Sequence, residues 1–355
     1  MTDIDQSPKT LPDDGPDERV LRPDTVVAPP ERAQGDPGGL TTGAAALAVP
    51  EYADTAETAL TYESGVAPKA RSQWAYARIR FFRHRLAVAS LIVLILISLV
   101  GIFADRLAPY GYDEINLFDI DSPPTLEGKH WFGTDQLGRD YLSRVIYGIR
   151  TSLWVAVFVA FLSTFIGTVI GSVAGYYGGL VDNLLMRFTD LVLTLPGLAV
   201  LLTAAAFLGS GDPLKVGIIL ALLFWTGIAR IVRGVFLSVR EKEYVEAAKA
   251  SGAGDSRIMF RHMLPNSLGP IIVNTTLIIA AAILVEAALS FLGFGIQPPN
   301  AALGKLIADG QGEGFELWWL VTFPGLTIVI IALAINFIGD GLRDALDPTQ
   351  RRVRA

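Results

Sequence analysis

The chain has 355 residues, 51% of them hydrophobic and 18% charged, with a formal net charge of −6 and a positive mean hydropathy. This balance is more apolar than a soluble protein of that length tolerates, and it indicates an integral membrane protein. The chain contains no cysteine, which excludes disulfides, thiolate metal sites and a cysteine nucleophile.

Residues 1–68 differ in composition from everything that follows them. They hold nine prolines and 13 acidic residues against 4 basic ones, and few aromatic residues. Such a segment cannot bury enough apolar surface to offset its chain entropy, so we predict a disordered, acidic, proline-rich cytoplasmic tail. The tail is either a dispensable extension or a regulatory or docking segment. Residues 348–355 are predicted to form a second, short cytoplasmic tail.

Residues 69–135 are predicted to hold an N-terminal anchor, the first transmembrane helix and an extracellular segment. Within them, RSQWAYARIRFFRHR at 71–85 interleaves basic and aromatic residues directly before an apolar run. Such a segment could bind nucleic acid, but the position of this one directly before a membrane span favours an interfacial anchor on an anionic membrane leaflet. We therefore expect membrane lipid as a partner and no nucleic acid.

Six apolar runs are candidates to cross the hydrocarbon core as helices, which gives an all-α integral membrane fold. The runs are residues 86–104, 152–177, 191–208, 216–229, 268–295 and 317–338. The fourth run is short and reaches spanning length only with flanking residues included. The first run begins far from the N-terminus and follows an acidic stretch, so no cleavable signal peptide is expected. Lysine and arginine placement predicts a multi-pass protein of the plasma (inner) membrane with both termini cytoplasmic.

The segment after the first run leads into the predicted core, residues 136–347. Apolar residues recur at helical spacing over 136–149, which predicts an amphipathic helix that enters the second span. Asp135 fits the N-cap of this helix.

The second run carries Gly167, Gly171 and Gly175, each four residues after the one before. This spacing lines small residues along one helix face and lets a neighbouring helix approach closely. We interpret the three glycines as a helix-packing face.

The third run has polar residues at its beginning and a helix breaker inside it. Arg187 and Asp190 are one helical turn apart and are predicted to form an interfacial charge pair. Pro196 and Gly197 interrupt the run and predict a kink, which by itself is weak evidence for a transport pathway.

Glu286 lies deep in the fifth run, where a carboxylate is expensive to bury. It is either a proton relay or substrate contact, or a glutamate held by a partner helix or the backbone, or kept protonated. Asn274 in the same run is included as a second candidate for the pathway or for helix packing.

A polar stretch, EYVEAAKASGAGDSRIMFRHMLPN at 243–266, separates the fourth and fifth runs. Its alanine-rich start favours a short helix in which Glu246 can pair with Lys249. Glycines then break that helix, Asp255 is expected to cap a second one that extends through residue 263, and Pro265 ends or closely follows it. The result is a helix, a turn and a helix that join two spans, a geometry suited to transmit motion from a cytoplasmic partner.

The sequence lacks the patterns expected of a catalytic chain. It contains no P-loop, no HExxH, and no GxSxG or SxxK nucleophile pattern, and its three histidines lie in separate regions. We therefore predict a protein that is not an enzyme and has no metal site.

At this point the sequence resembles a known family. Glu246-Ala247-Ala248, Gly252 four residues after the triplet, and Leu264-Pro265 resemble the EAA loop of the membrane subunits of ATP-binding-cassette (ABC) importers. His262 stands where the general pattern has isoleucine. HWFGTDQLGRDYLSRVIYGIRTSL at 130–153 and EAALSFLGFGIQPP at 286–299 resemble the C-type permease subunit of the dipeptide and oligopeptide importers, a branch that also contains nickel permeases.

The resemblance implies a type I ABC importer permease fold with six transmembrane helices. It implies a homologous second permease, two ATPase subunits that bind ATP and magnesium, and an extracellular substrate-binding lipoprotein, with no cofactor on this chain. The EAA loop would dock on an ATPase and form the coupling surface. With their neighbours, the residues assigned to that loop are Glu243, Glu246, Ala247, Ala248, Gly252, Asp255, Leu264 and Pro265.

The implied cargo is a peptide, with nickel as the alternative within the family. A secondary transporter or channel, the alternative from another class, would need inverted repeats or several charges inside the membrane.

Overall fold

The computed structural model describes residues 73–126, 130–209 and 211–346, and every regular element in those ranges is helical. Both predicted tails, 1–68 and 348–355, lie outside the described residues, as do the basic residues Lys69 and Arg71.

Twelve α-helices and one π-helical segment follow one another along the described chain. They are α1 (Gln73–Arg83), α2 (Arg85–Ile102), α3 (Ala104–Leu107), α4 (Tyr141–Tyr177), α5 (Gly179–Thr194), α6 (Gly197–Leu208), α7 (Pro213–Arg240), α8 (Glu243–Ala250), α9 (Asp255–Arg257), the π-helical segment Ile258–Met263, α10 (Leu264–Phe291), α11 (Leu303–Gln311) and α12 (Trp319–Leu346).

Five continuous helical stretches of the described chain are long and apolar enough to cross a membrane, and a bent pair supplies a sixth candidate. The five are α2, α4, α7, the stretch from Asp255 to Phe291, and α12. The bent pair is α5 with α6, whose axes differ by 85°. The fold is therefore the predicted helical membrane fold with up to six spans.

The third and fourth predicted spans are longer in the structure than their apolar runs. The fourth reaches spanning length through its flanking residues, as predicted, since α7 has 28 residues and includes Arg230 and Arg233. The third is interrupted at Leu195 and Pro196, next to the predicted kink, and its two helices are bent by 85° there. Proline fixes its own φ and disfavours helical geometry in the residue before it, which explains where α5 ends.

Helices α4 and α7 form the most closely packed pair of the bundle, and we call their contact the glycine seam. A Cβ atom added at Gly167 would come within 2.6 Å of Ile228, and one at Gly175 within 2.6 Å of Phe236. At Gly171 the added atom would collide with the carbonyl oxygen of Ala229. The three predicted packing glycines therefore face one neighbouring helix, as small residues do where two helix backbones approach closely.

The segment before α4 departs from the predicted amphipathic helix. Residues 136–140 are not helical, α4 begins at Tyr141, and Asp140 rather than Asp135 caps it by accepting a hydrogen bond from the Ser143 backbone N–H at 2.8 Å. Asp135 instead accepts backbone N–H bonds from Leu137 and Arg139, both at 3.0 Å, and so holds a tight turn. A side chain that satisfies two backbone donors in a turn competes with the helix for the same residues.

Candidate functional site: the 243–266 loop and the polar groups of the spans

The predicted helix at the start of the loop is present as α8. Glu243 and Glu246 lie in its first turn and Lys249 in its last, which suits the helix dipole at both ends. Val245 is completely buried in the main hydrophobic core, whereas Glu246 and Ala247 are exposed. One side of α8 therefore holds the loop to the bundle, and the other side is open.

The turn after α8 is a Schellman motif built on Gly252. The Gly252 N–H donates to the Lys249 carbonyl oxygen at 2.9 Å, and the Ala253 N–H donates to the Ala248 carbonyl oxygen at 3.1 Å. Gly252 has a φ of +76°, which glycine adopts at little cost. The turn satisfies the last carbonyl groups of α8 and sets the direction of the chain toward α9.

Asp255 is not the cap that the sequence predicts. Gly254 occupies the N-cap of α9 without a side-chain hydrogen bond, and Asp255 lies in the first turn. Its Oδ1 accepts a hydrogen bond of 2.7 Å from the hydroxyl of Tyr176, near the end of α4. The Asp255 side chain thus ties the loop to the helix that carries the glycine seam.

Tyr176 is a residue that sequence reasoning missed. Besides binding Asp255, it places its ring 6.0 Å from the Lys249 ammonium, and its carbonyl oxygen accepts from Arg240 at 3.1 Å. No ion pair joins Glu246 to Lys249 among the residues that the structure describes, because Lys249 is directed toward this ring instead. In the sequence, Tyr176 directly follows Gly175, the last glycine of the seam. This position could have identified Tyr176, since the seam extends to the loop.

Leu264 and Pro265 do not end a helix. The π-helical segment continues from α9 into α10, and Pro265 lies in the first turn of α10. Proline has no N–H to donate, and the wide π turn before it is a place where a missing helical hydrogen bond is accommodated. The loop is therefore joined to α10 without a flexible break.

Tyr244, beside Glu243 on α8, faces a cavity of about 740 Å³ at the ends of α7, α10 and α12. Partial burial raises the pKa of its phenol above the ordinary value for tyrosine. Asn274 lines the same cavity and donates from Nδ2 to the Pro270 carbonyl oxygen at 2.8 Å.

Glu286 is completely buried, and hydroxyl groups of this chain occupy both of its oxygens. Oε2 accepts from Ser152 on α4 at 3.0 Å, and Oε1 accepts from Ser290 at 2.7 Å. Ser290 in turn accepts from the Ile296 N–H at 3.0 Å, and Ser152 from the Leu303 N–H at 3.4 Å. The carboxylate thus connects α4, α10 and the segment that leads into α11.

The predicted pair of Arg187 and Asp190 is wrong. Asp190 instead pairs with Arg230 of α7, with 2.5 Å between Oδ1 and Nη2. A second cross-helix pair joins Asp182 to Arg233 through two hydrogen bonds of 2.5 and 2.6 Å. Helices α5 and α7 pack side by side, so the partner of Asp190 comes from the neighbouring helix rather than from its own.

Family models match most of the described chain. Residues 167–352 match the family described as binding-protein-dependent transport system inner membrane component, and residues 72–124 match the N-terminal transmembrane domain of oligopeptide transport permease C. The two matches together include the loop, the glycine seam and the first span.

Several curated proteins are similar over nearly their whole length. The oligopeptide transport system permease protein OppC of Escherichia coli K12 is 44% identical over 295 residues, which are 83% of this chain and 97% of the relative. OppC of Bacillus subtilis is 39% identical over 81% of this chain and 93% of the relative. The dipeptide transport system permease protein DppC of Alkalihalophilus pseudofirmus is 41% identical over 79% and 91%.

Proposed function

This chain belongs to the family of binding-protein-dependent inner-membrane transport components, in the branch of oligopeptide and dipeptide permeases, and from that premise we propose that it forms one half of a peptide pathway driven by ATP. A homologous second permease encloses the other half. Two ATPase subunits bind ATP and magnesium at the cytoplasmic face, and an extracellular lipoprotein delivers the peptide. Both termini of this chain lie in the cytoplasm, and the chain itself catalyses no reaction.

The observation that carries the coupling role is the attachment of the 243–266 loop. The loop buries Val245 in the core, binds Tyr176 through Asp255 and continues into α10 through a helical segment. A push on the open side of α8 therefore moves α7 and α10 together, because only short turns at 241–242 and 251–254 separate α8 from its neighbouring helices. Rocking of these helices would alternate access to the pathway.

The contact surface for the ATPase is the exposed side of α8, where Glu246 and Ala247 lie. Small side chains there allow a helix to enter a groove on a partner, and the two exposed glutamates supply negative charge. Gly252 and Pro265 set the directions of the chain on either side of this surface, and both are exposed beside it.

A size series at Ala247 tests the coupling role. Ala247→Ser should keep peptide uptake, Ala247→Val should reduce it, and Ala247→Trp should abolish it, because only the added volume blocks the groove. The measurement is uptake of a labelled dipeptide in cells that lack the chromosomal gene, with the amount of protein in the membrane as the control. Full uptake by a normally inserted Ala247→Trp protein would refute this docking surface.

Tyr176→Phe tests the connection of the loop to the bundle. The variant loses only the hydroxyl that binds Asp255, so the ATPase should still assemble with the permease. In proteoliposomes that contain the complete transporter, we expect fewer peptide molecules to be taken up per ATP hydrolysed. An unchanged ratio of uptake to hydrolysis would show that this hydrogen bond plays no part in coupling.

The same cells distinguish the cargo. Loss of dipeptide uptake on deletion of the gene supports the proposal. Loss of nickel uptake with normal dipeptide uptake would keep the architecture and assign the alternative cargo of the branch.

A further inference from the structure

Helices α5 and α7 share an exposed surface that contains charged and small residues, and we call it the open polar face. Its members are Arg187, Asp190 and Thr194 on α5, and Gly227, Arg230 and Gly234 on α7. Within each helix these residues are three, four or seven positions apart, so they lie on one side of that helix.

The ion pair at the centre of this face is half exposed. The exposed fraction is 53% for the Arg230 side chain and 48% for that of Asp190. The other cross-helix pair differs, since Asp182 is only 11% exposed and binds Arg233 through both of its oxygens. The two pairs have the same chemistry, but the pair of Arg230 and Asp190 is the more accessible to a ligand.

The exposed pair lies at membrane depth. The 28 residues of α7 extend about 42 Å at 1.5 Å per residue, and Arg230 lies about 25 Å from the start at Pro213 and about 15 Å from the end at Arg240. The hydrocarbon core is about 30 Å thick, so any part of α7 that crosses the whole core includes Arg230. Charged side chains within spans face a protein interior or a water-filled cavity rather than lipid. The open polar face therefore does not face lipid.

Space is available on both sides of the Arg230 side chain. A Cβ atom added at Gly227 or Gly234 would meet nothing within 4 Å. In this respect these glycines differ from Gly171 in the seam. The bend between α5 and α6 begins one turn beyond Asp190, and broken helices line the substrate sites of many transporters.

We propose that Arg230 and Asp190 form a subsite on the peptide pathway for the charged ends of the peptide. The inference rests on the proposed peptide transport. Arg230 binds the C-terminal carboxylate, for which a guanidinium supplies two parallel donors, and Asp190 binds the N-terminal ammonium. When no peptide is present the two side chains neutralise each other, which limits the cost of holding charge at this depth. A single exposed contact also releases its ligand readily, as passage through a pathway requires.

The absence of cysteine in the natural chain allows a direct test of water access. Thr194→Cys places one thiol on the open polar face, and Leu96→Cys places one on an exposed apolar position of α2 as the matched control. In the assembled transporter, a charged, membrane-impermeant methanethiosulfonate should label the first and not the second, and trialanine should slow the labelling. A thiol at 194 that stays unlabelled in every nucleotide state would mean that this face packs against another protein surface, and the proposal would fall.

Uptake of end-blocked peptides tests the assignment of charges. The probes are labelled trialanine, N-acetyl-trialanine and trialanine amide, and each uptake is divided by that of the natural transporter so that preferences of the binding protein cancel. Arg230→Gln should reduce relative uptake of trialanine about tenfold and that of the amide much less. Asp190→Asn should likewise reduce relative uptake of trialanine and reduce that of N-acetyl-trialanine much less.

The packed pair supplies the control. Asp182→Asn and Arg233→Gln should reduce uptake of all three peptides equally, because their effect is on packing. The subsite would be overturned if Arg230→Gln also reduced uptake of all three peptides equally and if the double variant Arg230→Asp with Asp190→Arg restored that uptake. This result would show that the two residues form a structural ion pair. Absence of peptide uptake by the natural transporter would instead refute the proposed function.

Discussion

Two sides of helix α7 both involve glycines, but the surroundings of these glycines differ. On the seam side, its backbone lies so close to α4 that Gly167, Gly171 and Gly175 have no room for a methyl group. On the open polar face, Gly227 and Gly234 of α7 itself have empty space beside them. Small residues thus bring two helices together in one place and leave room in the other. The first arrangement builds a rigid unit, and the second leaves a surface for a ligand.

The largest expected effect separates these two kinds of glycine. Gly171→Leu should prevent stable folding, at a cost of about 3 kcal/mol or more, because the new side chain meets the Ala229 carbonyl oxygen and Val232. Gly234→Leu adds the same volume on the open polar face and should leave the protein as stable as before. The measurement is thermal unfolding of purified protein in detergent, together with its yield from membranes. Equal losses for both variants would contradict the open space beside Gly234.

The second largest expected effect is a difference in stability between variants of the two cross-helix ion pairs. Asp182→Asn should lower the free energy of unfolding by about 3 kcal/mol, because it leaves Arg233 partly buried beside a weaker partner. Asp190→Asn should lower it by less than about 1 kcal/mol, since that pair is half exposed. Denaturant unfolding of the two variants under one condition makes the comparison. A larger loss for Asp190→Asn would contradict the distinction between a packing pair and an exchangeable one.

The smallest expected effect on stability concerns Gly252, where the backbone conformation rather than the available space favours glycine. Gly252→Ala should cost about 1 kcal/mol, because φ is +76° there while no atom lies near the added methyl group. Gly254→Ala is the matched control: its φ is −69° and its surroundings are equally open, so its stability should change by less than about 0.5 kcal/mol. Thermal unfolding of the pair tests this, and a greater loss at Gly254 would show that the loop has a closer neighbour in the assembly.

Much of the fold and of the candidate loop could be predicted because the signals are local. Runs of apolar residues fix where helices cross, the four-residue spacing of the seam glycines places them on one face, and Gly252 marks the end of α8. Boundaries were less predictable. The sequence predicts Asp135 as the cap of α4, but Asp140, five residues later, caps it, because Asp135 satisfies the backbone of the turn instead.

Cross-helix partners could not be predicted at all. Asp190 has Arg187 one turn away in its own helix, yet it binds Arg230, forty residues along the chain. The position of Tyr176 after Gly175 places it near the loop but does not identify Asp255 as its partner, and Glu286 gave no indication that Ser152 and Ser290 would occupy its oxygens. These contacts depend on how each helix is rotated and shifted against its neighbour, which packing determines.

The sequence by itself determined a helical membrane protein, its approximate spans, a face of small residues and a structured loop between two spans. These follow from hydropathy and from the helical repeat, which act within a few turns of chain. Only the tertiary structure decided which glycines are packed and which are open, which carboxylate meets which arginine, and how the loop is tied to α4. Such contacts join residues far apart in the chain, and their geometry is set when the helices pack against one another.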